Sequence, residues 1–223
     1  MGLALATWGG ARPGAGRKPK GAKAGVPHAP REQLTRHLPA HVTLRMEPHV
    51  WNLRSGRSFR AIGRALAAGC ERAGFRVVHF SVQGNHVHLL VEADRPERLA
   101  RGMQALLIRM ARALNRMMNR QGRVFADRYH ARVLRTPREV RNALAYVLNN
   151  FRRHAAQRGE RLGPRWMDPY SSAARFDGWR EGAAAPAPHD PRLVAEPRTW
   201  LVRTGWRRCG LLSLSEVPAG DER

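Results

Sequence analysis

The sequence predicts an α+β fold of the ferredoxin-like (RRM-like) type, an antiparallel sheet with flanking helices. Two observations predict it. Short segments with alternating or continuous apolar residues, typical of strands, are interleaved with longer segments whose apolar residues recur every three or four positions, typical of helices. The predicted elements follow in the order strand, helix, strand, strand, helix, strand, which is the order of a split β-α-β fold.

The first four elements follow a basic amino-terminal segment. Residues 41–46 alternate in polarity, as a strand with two different faces does. Residues 58–73 carry apolar side chains four positions apart and predict a helix. Residues 75–82 are rich in β-forming side chains, and a short polar turn at 83–85 leads into a further strand at 86–92. The last two strands are therefore predicted to form a hairpin.

The second half of the pattern consists of two long helices separated by a strand. The first helix is predicted over residues 96–121, where apolar side chains form one stripe. Residues 129–134 predict a strand, and Pro137 opens a final helix that ends near residue 159. This last helix is additional to the six elements of the ferredoxin-like order.

The 223-residue chain is predicted to contain one folded domain with an extension at each end. Residues 1–38 are rich in Gly, Pro and basic side chains, so we expect a disordered basic arm. Residues 39–160 form the predicted domain. Residues 161–223 lose the regular pattern and form a carboxy-terminal extension that is partly irregular.

The charge of the chain predicts a nucleic-acid partner. It has 40 Lys and Arg residues against 17 Asp and Glu, a formal net charge of +23. Two groups of basic residues are candidates for phosphate contacts, one in the arm and one on the long helices. They are Arg12, Arg17 and Lys18, and Arg109, Arg112, Arg116, Arg120 and Arg153. The alternatives are an arm that adds only non-specific affinity and a basic helix surface that is simply solvated.

Several absences predict a cytoplasmic protein that does not enter a membrane. The two cysteines, Cys70 and Cys209, form no C-x-x-C pair and are too few for a disulfide framework. The amino-terminal residues lack the basic region of a signal peptide. No segment approaches the ~20 apolar residues of a membrane span.

His86 and His88 are the first candidates for chemistry. Residues i and i+2 of a strand project to the same face, so both imidazoles can reach one divalent ion. The alternative is an ordinary polar strand face, because ten histidines in 223 residues produce such a spacing by chance.

Tyr146 and Asn150 supply independent evidence from the last helix. At ~100° per residue, Tyr146 falls away from the apolar stripe of that helix and on the same face as Asn150, one turn later. Both side chains can therefore reach a shared site. The alternative is a tyrosine at a surface or an interface.

Four separated motifs resemble the single-tyrosine HUH transposases, and in particular the REP-associated tyrosine transposases. They are GNHVHLLV at 84–91, FADRY at 125–129, TPRE at 136–139 and AYVLNN at 145–150. The resemblance covers about residues 38–160. It implies the HUH endonuclease type of fold and a divalent metal, Mg²⁺ or Mn²⁺.

The resemblance also implies a role for each matching residue. His86 and His88 match the two histidine ligands of the metal, Asn150 matches the amide ligand, and Tyr146 matches the nucleophile. It implies a 5′-phosphotyrosine intermediate with a free 3′-OH. The family includes both monomers and homodimers, and the resemblance does not choose between them.

The leading prediction is therefore a metal-dependent tyrosine transposase that nicks and rejoins single-stranded DNA, at a hairpin-forming repeat. A non-catalytic protein that binds structured DNA on the same fold is the first alternative. An RNA-binding module and a hydrolase in which water replaces Tyr146 as the nucleophile are the others.

Overall fold

The computed structural model describes residues 34–182 and 193–219. Five antiparallel strands form one sheet in the order β2-β3-β4-β1-β5. Their bounds are Pro39–Arg45 (β1), Glu71–Arg72 (β2), Phe75–Val82 (β3), His86–Ala93 (β4) and His130–Val133 (β5).

The helices are Gly56–Ala67 (α1), Pro96–Met117 (α2), Pro137–Gln157 (α3) and the short Trp200–Arg203 (α4). Two 3₁₀ turns lie at Ala173–Arg175 and Gly205–Cys209. The ferredoxin-like α+β prediction is confirmed. In the described part of the chain no helix is both long and apolar enough to cross a membrane.

Two helices end earlier than their apolar patterns predict. After α1 the chain forms β2, whose two residues pair with Phe75 and Arg76, so the residues predicted to end the helix belong to the sheet. A strand of two residues has no periodicity that a sequence could reveal. The second helix ends before Asn119, whose positive φ of 50° is incompatible with a continued α-helix.

The two faces of the sheet are covered by different layers. Alternate residues of β4 point to opposite faces, and Val87, Leu89 and Val91 join the core formed with α1 and α2. Leu90 instead joins the core formed with α3 and the carboxy-terminal segment. His86 and His88 share the face of Leu90, so they point toward the layer of α3.

Side chains from residues 161–182 and 193–219 complete the second layer. Trp179, Trp206 and Leu212 are buried there against the apolar side chains of α3. The carboxylate of Glu92 is fully buried near the carboxy-terminal end of β4. It accepts hydrogen bonds from Thr199 and forms an ion pair with Arg76. The predicted domain limits at residues 38 and 160 stay a prediction.

Local signals and tertiary contacts together fix the position of α3. Pro137 opens the helix, and Thr136 and Glu139 form a reciprocal capping box at its first turn. Farther along, Arg141 makes a bidentate ion pair with Glu216 at 2.6 and 2.9 Å. The Asn149 amide donates to the carbonyl oxygens of Ser213 and Glu216, both at 3.0 Å. These contacts hold the helix that carries Tyr146.

Candidate active site

The four residues singled out for chemistry come together between β4 and α3. The rings of His86 and His88 lie 4.8 Å apart between centroids and are nearly perpendicular. The Tyr146 ring meets His88 edge-on at 5.0 Å. Asn150 lies fully buried one turn further along α3. His86, His88, Tyr146 and Asn150 are hereafter called the catalytic cluster, after the roles that the sequence analysis predicts for them.

His41 is a member of this site that the sequence did not reveal. It lies on β1, the strand paired with β4, and its ring centroid is 5.2 Å from that of His88 and 5.6 Å from that of Tyr146. Its Nε2 and the Thr43 hydroxyl each lie 3.2 Å from Nδ1 of His88. These two contacts occupy Nδ1 and leave Nε2 of His88 for the site. Only the register of β1 on β4 places His41 here.

His154 is the second residue that the sequence analysis missed. It lies on α3 two turns after Tyr146, with its ring 5.9 Å from that of His86. Its Nδ1 lies 3.2 Å from the side-chain oxygen of Gln157. A signal was present, because His154 follows Asn150 by four residues and therefore shares its helix face.

The imidazoles of the site are held neutral. Burial lowers the pKa of His86 to about 4, with additional contributions from His154 and Arg45. Burial lowers the pKa of His88 well below its usual range, and His41, His86 and His154 add to that effect. A neutral imidazole retains a lone pair, which metal binding requires.

The tautomer of His86 follows from its neighbour. Its Nδ1 lies 2.8 Å from the side-chain oxygen of Asn85, and because an amide oxygen only accepts hydrogen bonds, Nδ1 carries the proton. The lone pair is then on Nε2. Such an outer hydrogen bond on the far ring nitrogen is the usual support of a metal-binding histidine.

Buried polar atoms without partners mark the centre of the site. Nε2 of His88, both polar side-chain atoms of Asn150 and Nε2 of His154 are buried with no hydrogen-bond partner among the described residues. Each such atom lowers the stability of the folded protein by about 1–3 kcal/mol. Imidazole nitrogen and amide oxygen are ligands of divalent metals, so His86, His88 and Asn150 fit the implied metal.

The candidate metal ligands are two imidazoles and one amide. Within residues 34–182 and 193–219, no three His, Cys, Asp or Glu side chains form a ready-made metal-binding group. An ion bound by the catalytic cluster would therefore gain no carboxylate charge from the protein. It would keep its positive charge available to a phosphate.

The predicted DNA-contacting residues fall in three places. Arg153 lies beside the cluster, with its guanidinium carbon 5.8 Å from the Tyr146 ring centroid. Arg109, Arg112, Arg116 and Arg120 belong to α2 and the residues just after it, on the sheet face opposite Tyr146. The structure does not bring those four to the cluster. Arg12, Arg17 and Lys18 lie outside the described residues.

Comparison with known proteins relates part of the chain to a family of transposases. Residues 41–150 match the family model described as IS200-like transposase. The fold is similar to a REP-associated tyrosine transposase solved bound to a REP hairpin, with a TM-score of 0.53 and 13% identity, covering 78% of this chain and 100% of that one. This likeness confirms the predicted HUH type of fold.

The chain is also similar to a putative transposase from Deinococcus radiodurans R1, with a TM-score of 0.37 and 17% identity over 51% of this chain and 86% of that one. No curated protein matches the chain significantly.

Proposed function

We propose that the chain cleaves and rejoins single-stranded DNA with Tyr146 as the nucleophile, because residues 41–150 match the model of the IS200-like transposase family. One observation carries the proposal. The Tyr146 ring lies 5.0 Å from the ring of His88, whose buried Nε2 has no partner among the described residues. A potential nucleophile and unused metal-ligand atoms therefore share one small site.

The proposed substrate is a DNA strand that contains a hairpin-forming repeat. The similar solved transposase is bound to a REP hairpin, and the formal net charge of +23 favours a polyanion. The Arg153 guanidinium beside Tyr146 would contact a backbone phosphate. Pairing in the hairpin would set the position of the strand, and the cluster would act on the unpaired region.

His86, His88 and Asn150 are the residues that would hold the divalent metal, Mg²⁺ or Mn²⁺. When bound, this ion would polarise the scissile phosphate. His41 and Thr43 orient the imidazole of His88, and Asn85 orients that of His86. These outer contacts fix both rings before any ligand arrives, which reduces the cost of binding.

The chemistry proposed for Tyr146 is a reversible transfer of the DNA strand. Its phenolic oxygen gives up its proton, attacks the phosphorus and forms a 5′-phosphotyrosine bond. The bond from phosphorus to the 3′ oxygen breaks, and that oxygen takes up a proton, so the strand end leaves with a 3′-OH. The positive charge of Arg153 stabilises negative charge that develops beside Tyr146. Attack by a 3′-OH on the phosphotyrosine reverses the step, so no ATP is needed for rejoining.

The test is covalent capture of labelled DNA. Purified protein is incubated with 5′- and 3′-labelled hairpin oligonucleotides from beside its own gene, with Mg²⁺, with Mn²⁺ and with EDTA, and then denatured. We expect a metal-dependent adduct that Tyr146→Phe lowers by at least about 100-fold, since the attacking atom is removed. Binding of the oligonucleotide should stay within about twofold.

Tyr170→Phe is the matched control for this experiment. Tyr170 is also partly buried, but it belongs to neither β4 nor α3, and its ring packs on Phe59 at 5.0 Å and under the Arg54 guanidinium. The Tyr170→Phe variant should form as much adduct as the unmodified protein. Cleavage by Tyr146→Phe at the unmodified rate would assign the attack to water. Binding without cleavage by the unmodified protein would favour a non-catalytic DNA-binding protein.

A further inference from the structure

Trp51 is an aromatic side chain exposed on the loop between β1 and α1. It is 47% exposed, and the guanidinium carbon of Arg57 lies 5.5 Å from its ring centroid. We propose that Trp51 and Arg57 form a stacking platform for an unpaired base of the DNA strand that the catalytic cluster cleaves. This inference rests on the proposed function and adds to it a residue that binds the strand.

The loop holds Trp51 in a defined position. Leu53 is fully buried and its backbone N–H donates to the carbonyl oxygen of Gly84 at 2.9 Å. The side-chain oxygen of Asn52 accepts from the backbone N–H of Arg54 at 2.9 Å. Trp51 is therefore exposed on an anchored segment, so little conformational entropy is lost when a base stacks on it.

The same loop lies at the rim of the catalytic cluster. Gly84, which binds the loop, precedes Asn85 and His86 in the turn between β3 and β4. On the other side, the Arg54 guanidinium lies 3.8 Å above the ring of Phe151, the residue after Asn150. The loop thus contacts α3 and the turn that leads into β4, so a strand leaving the cluster can pass over it.

The charge around Trp51 suits nucleic acid. Arg45 and Arg57 are exposed, and Arg45 is the residue of β1 that pairs with His86 of β4. The nearby carboxylate of Glu47 is paired with Arg123 at 3.0 Å. An aromatic face beside arginines binds single strands, because each base has a π-face and each phosphate a negative charge.

Trp200 provides a matched comparison. It is 50% exposed, and the guanidinium carbon of Arg208 lies 5.0 Å from its ring centroid. Its neighbour Thr199 binds Glu92, which is six residues beyond His86 on β4 and therefore roughly 20 Å from it. The two tryptophans are chemically similar, but the loop of Trp51 contacts the turn before His86, whereas Trp200 follows a residue bound near the opposite end of β4.

The experiment measures binding in EDTA, so that it does not depend on cleavage. Fluorescence anisotropy is recorded with a labelled oligonucleotide that carries a hairpin and a single-stranded flank. We expect Trp51→Ala to weaken binding by about 5- to 150-fold, the range for loss of one base–aromatic stack. Trp51→Phe should recover most of the affinity, and Trp200→Ala should bind as the unmodified protein does.

Abasic substitutions identify the stacked base. Removing one base at a time from the flank should weaken binding to the unmodified protein at one position and have no effect there in Trp51→Ala. Equal binding by Trp51→Ala and the unmodified protein would overturn the platform. An equal loss of affinity by Trp51→Ala on a fully paired duplex would also overturn the platform. If the same sequence made of RNA bound more tightly, and through Trp51, the assignment to DNA would be wrong.

The two proposals fail in different assays. If Tyr146 forms an adduct but binding is independent of Trp51, only the platform is wrong. If binding depends on Trp51 but no adduct forms with metal, the platform stands as part of a DNA-binding protein and the proposed catalysis is wrong.

Discussion

At the residue scale, two neighbouring asparagines of α3 have opposite roles. Asn149 and Asn150 are both buried. The Asn149 amide donates to two backbone carbonyls of the carboxy-terminal segment, whereas the Asn150 amide has no hydrogen-bond partner among the described residues. The first side chain stabilises the fold. The second leaves its polar atoms buried and unpaired, which lowers the stability of the fold until a ligand binds them.

Substitution by leucine, which has a similar shape, should separate these roles. Asn149→Leu leaves two carbonyl oxygens without their donor and should lower the free energy of unfolding by about 1–3 kcal/mol. Asn150→Leu removes an unpaired amide and should leave that free energy unchanged or raise it by about 1 kcal/mol. Urea denaturation in EDTA measures both. A large loss in Asn150→Leu would contradict the assignment of Asn150 as an unpaired, ligand-ready side chain.

The same two variants test whether Asn150 is a ligand of the metal. With Mn²⁺ added, the unmodified protein and Asn149→Leu should both gain stability, because an ion that binds only the folded state stabilises it. Asn150→Leu should gain much less. An equal gain in the two variants would remove Asn150 from the candidate ligands.

At the element scale, the packing of α2 on the sheet depends on a missing side chain. Gly102 lies in the middle of α2, and a Cβ built there would come within 2.2 Å of the ring of Phe75. Phe75 is among the largest fully buried side chains. A helix normally disfavours glycine, so this position trades helix propensity for close approach of α2 to β3.

Gly102→Ala should therefore destabilise the protein although alanine favours helices. We expect a loss of about 1–3 kcal/mol, because the fully buried ring of Phe75 would have to shift in a close-packed core. Gly163→Ala is the control, since its Cβ would meet nothing within 4 Å. Thermal denaturation compares the two. A stabilised Gly102→Ala would mean that α2 can shift away from the sheet.

At the scale of the whole molecule, His79 links the sheet to the carboxy-terminal segment. It lies on β3, its Nδ1 is 3.1 Å from the Ser172 hydroxyl, and its ring packs on Phe176. Burial lowers the pKa of His79 to about 4, and the carboxylate of Asp177 opposes this only in part. The interface between the sheet and the carboxy-terminal segment therefore contains a histidine that must stay neutral.

This histidine predicts a loss of stability in acid. In the unfolded chain the His79 pKa returns to about 6.5, so between pH 6.5 and 4 the unfolded state binds the proton more readily. Stability is present above pH 6.5 and falls as the pH drops toward 4, by up to about 1.4 kcal/mol per pH unit. His86 contributes in the same direction.

Variants isolate the contribution of His79. His79→Gln should flatten the dependence of the unfolding free energy on pH between 6.5 and 4, while His130→Gln, a change at an exposed position, should leave it unchanged. Urea denaturation at several pH values gives the slopes. Parallel curves for His79→Gln and the unmodified protein would show that His79 is protonated without cost.

Sequence by itself determined the longer elements of the fold, but not the two-residue strand β2, and it determined the face on which its candidate chemistry lies. Alternation along 86–92 placed His86 and His88 on one side of a strand, and the helical step placed Tyr146 and Asn150 together. Both are consequences of local backbone geometry, which repeats every two residues in a strand and every 3.6 in a helix. Such periodicity can be read without knowing what packs against the element.

Tertiary structure alone decided what surrounds those residues. The register of β1 on β4 brings His41 to His88, and the opposite placement of α2 and α3 separates the arginines of α2 from Tyr146. The irregular carboxy-terminal segment is what anchors α3. These contacts join residues far apart in the chain. Packing of complementary surfaces selects them, and no local pattern of side chains encodes that choice.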